Sequence, residues 1–304
     1  VRSSRRDINV CLIDVDSKIP NLALMRASAY HKRRGDEVKL GYDPLFDRPD
    51  ICYASKMFDF TPEPQYMPEC ETLKGGPGYS LEARMPMECY DRIMPDYTLY
   101  PRFDYAIGRF TRGCPNRCPW CVVWRMDGNE VRKVADLRDF WTGQDTVRVL
   151  DDNIMADADV FADACRQLSE AGADVIWEAL DIRCVTDATA RALASTRSSK
   201  CYHFAWDSHL QDDHIAPGVA KLQAAGIKPW RLMFYILVGF VPDREYDMHR
   251  IETVRELGAN PFVMPFDKAD PYQRHLARWC NNKVIFGSTS FEDYGPWRKY
   301  REGL

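Results

Sequence analysis

Apolar and polar positions fall into two blocks along the chain. In the first, "INVCLIDV" (8–15) is a β-rich apolar run ending on acidic residues, and "PNLALMRASAYHKRR" (20–34) reads as a helix, with Pro20 suited to its start and Gly35 to its end. The runs "EVKLGY" (37–42), "ICYASKMF" (51–58) and "ETLKGGPGYS" (71–80) read as further strands, the last entering a glycine turn. A small open parallel sheet of about four strands over 1–80 is expected. Residues 81–104 keep neither strand nor helix period and are Pro-, Met- and Tyr-rich, an ordered linker whose aromatics need burial. From 105 the alternation becomes regular, with strands expected at 105–111, 146–150, 174–182, 200–207, 230–240 and 260–266. Helices are expected at 158–173, at 187–197 with Thr186 as N-cap, and at 245–259. Eight β/α units close a barrel, so six predict an open, three-quarter TIM-type barrel over 105–270, with 271–304 as a C-terminal extension.

Composition narrows the classes of function. The 304 residues are 45% hydrophobic and 28% charged, with net charge −4, so no global field draws the chain to nucleic acid or membrane. The basic ends, "VRSSRR" and "WRKYR", read as solvated termini. No apolar run reaches the length of a membrane span, and no apolar signal core precedes the first strand, so a cytoplasmic protein is expected. Eleven cysteines without an export signal are read as reduced thiols or ligands.

Three of them stand in "FTRGCPNRCPWCVVW" (110–124), where the first barrel strand ends. Ligands bind at the carboxyl ends of parallel strands, so this loop is where chemistry is expected. Cys114, Cys118 and Cys121 form a soft donor set suited to zinc or an iron–sulfur cluster. The nearby sequence offers no fourth thiol or histidine to complete a structural zinc site; His203 is far along the chain. A [4Fe–4S] cube on three thiolates keeps one iron without a protein ligand.

The pattern Cys-x-x-x-Cys-x-x-Cys, with Trp120 before the last cysteine, resembles that of radical S-adenosylmethionine (SAM) enzymes. The resemblance extends over most of 105–270. It implies that the open iron chelates SAM, that a flavodoxin- or ferredoxin-like donor supplies an electron, and that a 5′-deoxyadenosyl radical takes hydrogen from the substrate. In the same terms, Trp120 covers the cluster or adenine. Asp151, Asp152 and Asn153 in "VLDDN" would receive the SAM ammonium. Glu178 and Arg183 in "EALDIRC" lie near the carboxylate or ribose, Asp207 and Ser208 in "FAWDS" near the ribose, and Val238 and Gly239 in "YILVGF" cradle adenine. Each of these polar strand ends also reads as an ordinary turn or ion pair. At the level of the whole chain the resemblance is to radical SAM proteins of undefined reaction, many of them phage-encoded. A nucleobase, nucleotide or nucleic acid is thereby the expected substrate, with peptide or small metabolite left open.

The first block is similar in outline to a small Rossmann-like, cobalamin-binding domain. Its first loop, "DVDSKIPN", lacks the Asp-x-His-x-x-Gly pattern that supplies the cobalt ligand, which argues against cobalamin and for a degenerate domain. Methylthiotransferases hold a second cluster on three N-terminal cysteines, and Cys11, Cys52 and Cys89 are the counterparts to weigh, but the Asn usual after the first is missing. The glycines of "KGGPGY" (74–79) would let backbone approach a phosphate or cofactor. Alternatives are therefore a methylthiotransferase, a cobalamin-dependent radical methylase, or a non-catalytic zinc or iron–sulfur protein.

Overall fold

Asn9–Asp14 (β1) forms the centre of the first sheet, with Val10 to Ile13 all buried. The structure, a computed structural model, describes residues 6–87 and 90–303, so the expectation for Cys89 lies outside the described residues. Glu37–Leu40 (β2), Ile51–Ser55 (β3) and Glu71–Gly75 (β4) complete a parallel sheet in the order β2-β1-β3-β4, the four strands expected. Leu22–Arg33 (α1) covers one face, packing Leu24 and Ala27 on Val10, Leu12 and Tyr53. Its cap is Asn21, whose side chain accepts from the amides of Ala23 and Leu24, one residue beyond Pro20. The other face carries Cys11, Ile13, Cys52 and Ala54 under loop residues such as Tyr42, Met67 and Tyr79.

The glycines of "KGGPGY" serve the chain itself. Gly76 has φ +90, and a Cβ there would lie 2.5 Å from Lys56 O; one on Gly78 would lie 2.8 Å from the Phe58 carbonyl. Space that would admit a phosphate is filled by the backbone at 56–58. The tyrosines of the linker also find partners: Tyr100 donates to Asp14 Oδ2 at 2.6 Å, and Tyr97 OH accepts from Ile107 N at 3.2 Å.

Ala106–Gly108 (β5) stops short of the expected 105–111. The chain breaks at Arg109 and Phe110, and Thr111–Arg112 (β6) instead starts a separate strand, followed by Val123–Met126 (α2) and Arg132–Lys133 (β7). β6 and β7 pair antiparallel, and β5 pairs in parallel with Thr146–Val149 (β8).

The chain divides into two compact units, Val1–Asp152 and Asn153–Leu304. The second runs Ala158–Glu170 (α3), Asp174–Trp177 (β9), Asp187–Ser195 (α4), Tyr202–Ala205 (β10), Asp212–Ala224 (α5), Leu232–Val238 (β11), Arg244–Glu256 (α6) and Asn260–Pro265 (β12). Strands β10, β11 and β12 form a parallel sheet, which a bridge from Leu180 to Phe204 extends toward β9. Along β11, residues alternate between buried and half-buried: Leu232, Phe234, Ile236 and Val238 are buried, while Met233, Tyr235 and Leu237 are half-buried. Thr186 caps α4 as expected, reciprocally with Thr189. Pro271–Cys280 (α7), Lys283–Ser288 (α8) and Gly295–Glu302 (α9) complete the chain, where Tyr272, Phe291 and Trp297 form a buried aromatic group. The architecture is mixed α/β with parallel sheets. No described helix is long and apolar enough to cross a membrane.

Candidate metal centre

The cysteine loop leaves the sheet at Gly113 and returns at β7, so the short antiparallel ribbon of β6 and β7 closes its base. Gly113 has φ +89, and a Cβ would lie 2.2 Å from Glu130 O, so no other residue fits the entry to the loop. Inside it, Cys114 N donates to Gly128 O at 3.2 Å and Cys121 N to Cys118 O at 3.0 Å. Trp124 Nε1 also reaches Cys118 O, at 3.2 Å. All three cysteines and Trp120 are half-buried.

Two consecutive carboxylates anchor the entry. Asp151 Oδ1 accepts from Thr111 N at 2.6 Å and Thr111 Oγ1 at 2.5 Å, and Oδ2 accepts from Phe110 N at 3.0 Å. Asp152 Oδ2 accepts from Gly113 N at 2.9 Å. Burial pushes Asp151 up to about 6 against the pull of these hydrogen bonds, and burial likewise raises Asp152. A second clamp is ionic. Arg112 bonds both oxygens of Asp91 at 2.8 Å and Asp127 Oδ1 at 2.9 Å, while Arg109 lies 3.5 Å from Asp127 and 3.7 Å from Asp152. Arg132 donates to Asp127 O at 2.8 Å, tying β7 to the same carboxylate residue.

The donor chemistry of the loop fits a soft metal group: three thiols, with no carboxylate or imidazole between 110 and 124. Among the described residues no three His, Cys, Asp or Glu side chains gather as ligands of a single metal ion. A cube asks for less convergence, because each thiolate meets its own iron.

The remaining expected residues lie in the second unit. Asn153 Nδ2 donates to Asp181 Oδ2 at 2.9 Å, and Arg183 binds Asp181 through Nε and Nη2, each at 2.8 Å, so Asp181 joins these two residues. Glu178 lies 3.7 Å from His203 Nδ1. Asp207 Oδ1 accepts from Leu237 N at 3.0 Å, stitching the end of β10 to β11. Ser208 N donates to Gln211 Oε1 at 3.0 Å in a capped turn. Val238 is buried at the end of β11. Gly239 has φ +86, and Gln273 Nε2 lies 2.1 Å from where its Cβ would be, so the chain itself occupies that hollow.

Sequence reasoning missed Asp91, Asp127, Arg109 and Arg112, whose pairing depends on folding distant segments together. It also missed the row formed by His203, Tyr235 and Phe262, with ring separations of 5.3 and 5.5 Å. The two-residue period of β10, β11 and β12, which sets these rings on one half-buried face, was the available signal. No known family model matches the chain, and no curated protein matches it.

Proposed function

We propose that the chain is a radical SAM enzyme in which Cys114, Cys118 and Cys121 hold a [4Fe–4S] cluster. The observation that carries this reading is a loop with three thiols at this spacing, closed by a ribbon and anchored at its entry by Asp151 and Asp152. Such an anchor holds the entry of the loop, next to Cys114, in place, which lowers the ordering cost of ligation. When bound, the cluster would supply the electron for reductive cleavage of SAM. Trp120, half-buried in the same loop, would cover that region. Within the second unit Asp181 holds Asn153 and Arg183, the proposed partners of the SAM ammonium and carboxylate. The fold that goes with this reading is an open (β/α)6 barrel, supported by the strand–helix order from Ala106 to Pro265. A flavodoxin- or ferredoxin-like protein is the proposed electron donor. The stacked pair of His203 and Tyr235, with Phe262 edge-on to Tyr235, favours a planar heteroaromatic substrate such as a nucleobase.

Anaerobic reconstitution with iron and sulfide should load about four iron per chain. Ala at Cys114, Cys118 and Cys121 together should abolish loading. The loaded wild type, given SAM and a strong reductant, should release 5′-deoxyadenosine. One zinc per chain with no iron uptake, or a full cluster retained by the triple variant, would overturn the assignment of the ligands. A loaded protein that never cleaves SAM would overturn the enzyme.

A further inference from the structure

The first sheet carries a second group of thiols that the radical reading does not use. Cys11 of β1 stands directly opposite Cys52 of β3, and Cys52 stands opposite Thr72 of β4, so all three share one rung. Both cysteines point to the face away from α1, in a cluster with Ile13, Ala54 and Cys70. Cys11 Sγ donates to Gly41 O at 3.5 Å. Neighbouring strands lie about 4.8 Å apart, within the roughly 4.4–6.8 Å that separates the Cα atoms of disulfides, so the two chains are spaced for a bond.

Exposure of these thiols is slight, 3% for Cys11 and 0% for Cys52. Yet Cys11 lines a cavity of about 360 Å³, bounded by Asn9, Lys39, Gly41, Phe46 and Asp47. A bulky disulfide reagent cannot reach sulfurs so enclosed, whereas a small oxidant can enter from the cavity side.

We propose that Cys11 and Cys52 are a reversible dithiol, oxidised to a disulfide by a small hydroperoxide admitted through this cavity. The Cys11 sulfur attacks the O–O bond as its proton passes to the departing oxygen. One oxygen stays on Cys11 as a sulfenic acid, and the other leaves and is protonated as the alcohol, or as water when the oxidant is hydrogen peroxide. The Cys52 sulfur then attacks Cys11, and the hydroxyl leaves as water with the remaining proton. Two thiols and one hydroperoxide thus give one disulfide, one alcohol and one water.

The test is a disulfide map of the full chain. Reduced protein is treated with one equivalent of hydrogen peroxide, free thiols are blocked, and the unreduced digest is read by mass spectrometry, which separates these peptides from those of the cysteine loop. A peptide linking Cys11 to Cys52 is expected, lost again after dithiothreitol. In Cys52→Ala, the Cys11 peptide should instead gain the mass of one or more oxygens. Recovery of both cysteines as blocked free thiols, or a link from Cys52 to Cys70 in place of Cys11, would overturn the proposal. The wild-type map decides this even if the variant folds poorly.

Discussion

Asp151→Ala should loosen the cysteine loop and cost about 3 kcal/mol of stability, because three hydrogen bonds to a buried carboxylate vanish and two backbone amides are left without acceptors. Amide exchange should locate the effect, with Phe110 and Thr111 losing protection first. The reconstituted variant should also shed iron faster than wild type. The pH dependence has a definite sign. Burial lifts Asp151 from 3.8 to about 6 in the folded chain. Between those values the fold holds a proton that the unfolded chain has released. The stability that Asp151 adds over Ala should therefore fall, by about 2 kcal/mol, as pH rises from about 4 to about 6, and stay level above that. Paired urea titrations across this range measure it. A constant difference between the two proteins, or unchanged protection at Phe110 and Thr111, would show that the carboxylate is not the anchor.

Arg250→Ala should be the most damaging single change in the second unit, at about 3–5 kcal/mol. Arg250 is 2% exposed and ties three groups together: Trp206 O at 2.8 Å, Leu237 O at 3.0 Å and Asp247 Oδ1 at 2.6 Å. The two carbonyls mark the ends of β10 and β11, so the guanidinium fixes where those strands stop. Its removal strands Asp247, a carboxyl that burial already pushes up to about 6 even with its partner present. Without Arg250 that carboxyl must be protonated to stay buried, so the variant should lose less stability at pH 5 than at pH 8. Arg250→Lys, which cannot span all three acceptors, should recover only part of the loss. Denaturant midpoints at the two pH values decide; equal losses at both would rule out the stranded carboxyl as the cause.

The strands were legible where an apolar run carried its own boundaries. β1 to β4 emerge in order, and Thr186 announces α4 through local capping chemistry that needs no tertiary context. Elsewhere the sequence misleads for physical reasons. Gly76 and Gly78 have the look of a ligand cradle, but the strand they approach is their own neighbour's continuation. At the candidate site, cysteine spacing is a property of one short segment and can be read directly. The partners of Asp151 and Asp152 lie about forty residues back, and only the pairing of β5 with β8 brings them level. Nothing in the string "VLDDN" tells whether its oxygens face a ligand or a backbone.

The alternation along β11 implies two tempos of change within one strand. Phe234 and Ile236 are sealed, so a substitution there must be matched by its neighbours or be purged. Tyr235 and Leu237, which alternate with them, are only half-buried. A lineage could therefore exchange the half-buried set, together with His203 and Phe262, to meet a new molecule while the sealed set keeps the scaffold constant. Adaptation to a different substrate would then leave its record at every second residue of these strands.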